Sequence, residues 1–390
     1  SSDGLKGAGL NSRAGHVSTC FRPLRRHTCS SCGLGGATSH MTPIVTLNPI
    51  ALVIAAIATG WPWLASAHGL CGSRELLLDR GTPAAPGRPL GREEDGDSER
   101  IHVVLGGDAR NFAGILTAML SIVRHLESPG QCAIHLIVAE AELEQAGRIV
   151  VCFQQELGAS QTMPEVSLHR LRPLPEPLDF FTPPLAFYWA RLYLHEYFPE
   201  APRAIWLDYD TVVQADLGRL YRMPLKHALA AAPEFVAPHF VRAVTFRDHI
   251  RECPHIADFA KSFLDTATFN TGVLLLDLEQ WKSGAITKNI TDWAVLADGC
   301  FLDQTGTGQI SLNLGFMGRW DRLDWRWNAR FNASARTPMA CAKQVRIFHW
   351  NVYPHPQYWQ ANRNKNRTRD DHLWRPHVPQ QRCEAARWGR

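Results

Sequence analysis

The first ordered pattern along the chain begins at Ile101. Ile101-His-Val-Val-Leu105 is a short apolar run that stops at Gly106-Gly107-Asp108, which predicts a buried strand ending in a turn. Ile115, Leu116, Met119, Ile122, Val123 and Leu126 then recur at helical spacing, laying one apolar stripe along a helix. A Pro-Gly turn follows, then an apolar run over Ile134–Ala139, a helical stretch over Leu143–Leu157 and a strand-like run over Val166–Leu171. Strand and helix in succession predict βαβ crossovers and an α/β fold with a parallel sheet. In such a sheet ligands sit off the carboxyl ends of the strands, where Asp108 stands. No GxGxxG follows the first strand and no segment repeats, so an ordinary dinucleotide fold is not indicated.

The ends of the chain have a different texture. Pro49 to Ala67 is a run of nineteen residues without a charge, with Arg22, Arg25 and Arg26 on its N-terminal side. At 1.5 Å per residue it spans ~28 Å, close to a hydrocarbon core, and the preceding positive charge leaves the N-terminus in the cytosol. Two readings compete: a signal anchor, or a signal peptide cleaved after Ala65-Ser66-Ala67. A buried core helix fits poorly with Gly60, Trp61 and Pro62. Residues 1–48 then form a basic leader; the first Met is Met41. Residues 68–100, rich in Gly, Pro, Arg and acids, read as a stem. Residues 361–390 form a basic tail.

Charge sharpens that division. The chain carries 41 basic and 37 acidic side chains, a net +4, yet residues 1–40 hold five of the basic groups against one acid and residues 361–390 hold eight against three. The stretch between is net −5. A nucleic-acid binder concentrates positive charge on its folded domain, so nucleic acid is not an expected partner. With 45% hydrophobic residues the chain is in the globular range. Sequons at Asn289, Asn332 and Asn366, and six cysteines beyond residue 100 (Cys132, Cys152, Cys253, Cys300, Cys341, Cys383), agree with the secretory route and its oxidising lumen. Trp320, Trp325 and Trp327 cluster, as core packing or as a sugar-stacking surface.

The sharpest chemical signal is Ala204-Ile-Trp-Leu-Asp208-Tyr-Asp210-Thr-Val-Val213. An apolar strand runs into two carboxylates one residue apart. In an extended chain positions i and i+2 face the same side, so both acids can reach one cation, and oxygen ligands suit Mg²⁺ or Mn²⁺. Such a cation neutralises a departing diphosphate. The same DxD also fits the opening motif of haloacid-dehalogenase-type phosphatases, with Asp208 as nucleophile, but that motif normally opens its domain and this one follows about a hundred residues of folded-looking chain.

Several ordered segments over residues 101–360 resemble glycosyltransferase family 8, the retaining, nucleotide-sugar-dependent transferases of the glycogenin and galacturonosyltransferase kind. They are Ile101–Asp108, Tyr188-Trp-Ala-Arg191-Leu192, the DxD strand, Phe269-Asn270-Thr-Gly272-Val-Leu-Leu-Leu-Asp277-Leu, Gln309-Ile-Ser-Leu312-Asn313 and Ile347-Phe-His349-Trp-Asn351. The resemblance implies a single Rossmann-like, GT-A-type nucleotide-diphospho-sugar transferase domain with a mixed, mostly parallel sheet and the DxD at a strand end. It implies Mn²⁺ (with Mg²⁺ as the alternative) held by Asp208, Asp210 and His349. Asp108, Asp208, Asn270, Gly272 and His355 would bind the nucleotide sugar. Arg191 would help stabilise the leaving group, and Gln309 would lie near the anomeric carbon. An amide is a feeble nucleophile, so Gln309 is cast as a dipole while the acceptor attacks from the leaving-group side. Four departures stand out: the acid before Gln309 is Gly308, and in the late motif Gly becomes Val352, Lys becomes His355 and Trp becomes Gln357. They bear on donor affinity, sugar choice and activity.

The expectation is therefore a Golgi membrane, single-pass type II transferase, or a secreted one, moving a hexosyl or uronosyl group from a UDP-sugar to a glycan or glycoprotein acceptor. The alternatives are a degenerate member that binds nucleotide or glycan without turnover, and the DxD phosphatase.

Overall fold

The computed structural model describes residues 99–158, 162–176, 178, 183–234, 243–249, 261–296, 308–330, 344–350 and 374–379. The uncharged run at 49–67, the stem, Val352 and His355 lie outside these residues. Among the described residues no helix is long and apolar enough to cross a membrane.

Seven strands form the main sheet, in the order β3-β2-β1-β4-β7-β6-β8. β1 (Ile101–Gly106), β2 (Cys132–Val138), β3 (Glu165–Arg170) and β4 (Arg203–Leu207) run parallel. β7 (Phe269–Asp277) lies antiparallel between β4 and β6 (Leu229–Pro233), and β6 is parallel to β8 (Asp321–Arg322). The expected mixed, mostly parallel sheet is present. A second sheet, β5-β10-β9, pairs β5 (Thr211–Val213) with β10 (Ile347–His349) and β10 with β9 (Ala329–Arg330).

The central strands are apolar on both faces because both faces are covered. Val103, Leu105, Ile134, Leu136, Ile205 and Leu207 point into a core with α1 (Phe112–His125) and α2 (Leu143–Leu157). Their alternates Val104, Ile137, Ala204 and Trp206 point into a second core. That core is built with α3 (Pro183–Ala190), α4 (Leu278–Ser283), α5 (Ile286–Leu296) and α6 (Gln309–Phe316). The predicted helix over Leu143–Leu157 has the bounds of α2. Each fully buried Leu or Ile contributes ~1.5–3 kcal/mol, and both cores are lined with them.

Three features adjust the sequence reading. Trp320 and Trp327 are buried in the two main cores and Trp325 packs on a third cluster with Trp374, so the tryptophans serve packing. Trp374 and His377 of the C-terminal segment are also buried, and Arg124 of α1 donates to the carbonyl of Pro376. Finally, His102, His135 and His169 on three neighbouring strands form a row, with Nδ1–Nε2 contacts of 3.0 and 3.1 Å, under Phe198. Cys132 is a free, buried thiol and Cys152 is disulfide-bonded.

Candidate active site

β4 ends at Leu207 and delivers Asp208 to the carboxyl edge of the sheet, where β1 and β4 run side by side. Its backbone N donates to the carbonyl of Gly272 on β7 at 2.8 Å. Its own carbonyl accepts from Thr211 N at 3.2 Å and from Thr211 Oγ1 at 2.8 Å. The chain therefore turns over Asp208–Thr211, where the spacing suggested an extended run. The two carboxylates converge because the turn folds Asp210 back and β10 brings a third group between them.

That group is His349. β10 pairs with β5 in antiparallel register, His349 opposite Thr211, and the backbone N of Trp350 donates to the carbonyl of Asp210 at 2.8 Å. His349 Nε2 lies 3.3 Å from Asp210 Oδ1 and 3.8 Å from Asp208 Oδ2. One ligand atom from each residue falls within 4.8 Å of the others. Neighbouring ligands around a cation with ~2.1 Å bonds stand ~3 Å apart, so two carboxylates and an imidazole at these spacings fit a hard divalent cation.

Each member of the trio is oriented by a neighbour. Trp206 Nε1 donates to Asp208 Oδ1 at 2.8 Å, leaving Oδ2 turned toward His349. His349 Nδ1 lies 2.9 Å from Asn328 Oδ1, an acceptor that requires the proton on Nδ1 and leaves the Nε2 lone pair for the acids' side. Burial raises the Asp208 carboxyl above its ordinary range; His349 and Arg191 oppose this and Asp210 adds to it. Such a buried acid is a group that a cation would relieve.

Gly272 is the space in which the His349 ring sits. A Cβ there would lie 2.0 Å from His349 Cε1 and 2.4 Å from Nδ1. Asn270, two residues earlier on the same strand, accepts from Gly272 N and from Asn328 Nδ2, both at 3.0 Å, and donates through Nδ2 to Gln309 Oε1 at 3.1 Å. Gln309 opens α6. Its Oε1 also lies 3.3 Å from Thr271 N and 3.4 Å from Thr271 Oγ1, so the amide oxygen is turned into β7.

Arg191 is 1% exposed. It donates from Nη1 to the carbonyl of Thr271 at 3.2 Å and stands near the rings of Tyr188 and Trp206. Burial lowers the pKa of its guanidinium, while the Asp208 carboxylate favours its charge. It sits beneath the acids and steadies the strand that carries Asn270 and Gly272. Asp108 follows β1 and caps a helical turn, accepting from Arg110 N and Asn111 Nδ2 at 3.0 Å and pairing with Arg110. Gly308, before Gln309, has φ +61°, and a Cβ there would meet Trp189 Cζ2 at 3.2 Å.

Two residues of this neighbourhood were not singled out in the sequence. Asn328 hides in the tryptophan-rich stretch read as packing. Glu234 follows the apolar run Leu229–Pro233, an acid at a strand end like Asp208, but alone and so without a pattern to mark it.

A model of the family described as "Glycosyl transferase family 8" matches residues 102–359. The chain is 24% identical over 317 residues to Probable galacturonosyltransferase-like 4 of Arabidopsis thaliana, covering 76% of this chain and 86% of that protein. It is 26% identical over 297 residues to Probable galacturonosyltransferase-like 9 of the same plant, covering 72% of each. Among solved structures it is similar to the WbbM bifunctional glycosyltransferase in its apo form, with a TM-score of 0.49 and 18% identity over 70% of this chain; it spans only 48% of that one. The family match runs from β1 to beyond His349 and takes in every segment that builds the site, and this chain belongs to glycosyltransferase family 8.

Proposed function

We propose that this chain transfers a hexosyl or uronosyl group from a UDP-sugar to a glycan or glycoprotein acceptor, using Mn²⁺ and retaining the anomeric configuration. The observation that carries the reading is the convergence of Asp208 Oδ2, Asp210 Oδ1 and His349 Nε2 at the carboxyl edge of β4. These three atoms would hold the cation, which when bound supplies positive charge against the diphosphate of the donor. Asp108, at the neighbouring strand end, would meet the nucleotide. Asn270 and Gln309 lie on the side of β7 and α6, and there they orient the sugar. Breaking the sugar–phosphate bond builds positive charge on the anomeric carbon. Fixed dipoles set before the reaction stabilise that change without reorganising, and both amides are already bonded in place.

The reading extends to a lumenal domain tethered in the Golgi membrane through residues 49–67. Its support is the length of that uncharged run, the sequons and the disulfide at Cys152. One observation favours a second reading. Trp189 fills the side-chain space beside Gly308, consistent with a member that binds nucleotide without turnover.

The test incubates the full chain with a panel of UDP-sugars and Mn²⁺ and records UDP release, with Asp210→Asn as control. Slow release from one donor, abolished by EDTA and by Asp210→Asn, is the expected result and names the sugar. Mn²⁺-dependent UDP binding without release from any donor, acceptor glycans included, would favour the second reading. Absence of Mn²⁺-dependent UDP binding would refute both.

A further inference from the structure

The amide of Gln309 has one orientation that its neighbours allow. The Thr271 backbone N–H can only donate, and it points at one end of the amide from 3.3 Å. Glu234 Oε2 accepts at the other end, 3.1 Å from Nε2. Oxygen therefore faces β7 and nitrogen faces Glu234. The same logic fixes Asn270, whose Oδ1 takes the Gly272 N–H. One directed chain results: His349 Nδ1–H donates to Asn328, Asn328 to Asn270, Asn270 to Gln309, and Gln309 to Glu234. Its last member is an anion, and bonds aligned this way polarise one another.

Glu234 is itself clamped. Its side chain is 9% exposed, and its second oxygen, Oε1, is paired with the guanidinium of Arg330 on β9. Its backbone is tied on both sides: its N donates to the carbonyl of Thr268, and its carbonyl accepts from Val244 N, both at 2.8 Å. Gly308 brings no side chain to Gln309, so the carboxylate reaches the amide from the end of β6. We propose that Glu234 is a positioning residue of the transferase: held by Arg330, it fixes Gln309 against β7 and places a negative charge next to the amide that faces the sugar. This rests on the reading of the site given above. It separates two duties: the acids and His349 set nucleotide affinity through the cation, and Glu234 sets turnover through Gln309.

The test is Glu234→Gln, which keeps the shape and removes the charge, with donor hydrolysis and Mn²⁺-dependent UDP binding both measured. Loss of the partner that orients a metal ligand costs ~10–100-fold, and a loss of the same order is expected for the partner that orients Gln309. The expected result is a kcat lower by that factor with the Kd for UDP unchanged within about two-fold, as for an interaction made only on the way to the transition state. Arg330→Gln leaves the carboxylate but frees it, and is expected to lower kcat less, again at constant UDP affinity. A merely structural role would lower kcat and UDP affinity together in both variants, and that result overturns the proposal, as does an unchanged kcat in Glu234→Gln. If the unaltered protein turns over no donor, the functional reading fails and this proposal with it. Turnover by the unaltered protein and equally by Glu234→Gln refutes this proposal alone.

Discussion

Gly272→Ala places one methyl group against His349, the imidazole proposed to hold the cation. The new Cβ would stand 2.0 Å from His349 Cε1 where ordinary contact begins at 3.4 Å, so the ring must retreat by about 1.4 Å. Gly272 cannot yield instead: its carbonyl holds Asp208 N and its own N–H is bound to Asn270. A metal site tolerates displacements of only ~0.2 Å in a bond, so the substitution removes His349 as a ligand while leaving both acids. Loss of an outer-sphere partner alone costs ~10–100-fold in metal affinity; loss of the ligand itself is expected to cost at least ~100-fold, or ~2.7 kcal/mol at 1.36 kcal/mol per decade. The assay is Mn²⁺ titration by calorimetry at fixed UDP, on protein shown by circular dichroism to be folded. Overpacking is expected to lower stability by ~1–3 kcal/mol as well, so the two effects are read separately. A folded Gly272→Ala protein that binds Mn²⁺ as tightly as the original would refute the assignment of His349 to the cation.

Two further outcomes follow from groups outside the site. Burial, then His169 and His102, pushes the pKa of the His135 ring down to about 3. The unfolded chain takes up that proton below pH 6.5 and the folded chain does not until about pH 3. Stability is therefore complete above pH 6.5 and falls as the pH drops toward 3, with a limiting slope of ~1.4 kcal/mol per pH unit from this one group. His135→Gln is expected to flatten urea unfolding free energies between about pH 6 and 4.5, and an unaltered slope would count against the buried row. Asn289 is a sequon on α5, but its Nδ2 donates to the Gly315 carbonyl at 2.8 Å. In protein from a secretory host, mass spectrometry of the peptide carrying Asn289 is expected to find it unmodified; a glycan there would show that α5 is not docked on α6 as described.

Much of this was legible before the fold. β1, β2 and β4 announce themselves because they are buried on both faces, and a continuous apolar run ending in an acid is hard to mistake. Asp208 and Asp210 were found by their spacing, although the geometry behind it is a turn and not an extended strand. What the sequence hid was mostly second partners. Asn328 lies 58 positions from Asn270 and Arg330 lies 96 from Glu234, and no local period links residues joined only when β9 and β10 fold onto the end of β4. Gly272 was visible as part of a segment, but its reason, the ring of a histidine 77 positions away, belongs to tertiary packing.

The Gly308–Trp189 contact carries a consequence for substitutions at the site. A carboxylate at position 308 would meet two obstacles at once. The left-handed backbone there costs a side chain ~1–2 kcal/mol, and the indole of Trp189 would stand 3.2–3.3 Å from the first carbon added. Neither obstacle is removed by changing position 308 alone. An acid introduced at position 308 therefore works against the backbone and the tryptophan together, and Trp189 must give by a few tenths of an ångström to admit it. Substitutions on β6 and β9 reach the amide of Gln309 through Glu234 and Arg330 without meeting either obstacle.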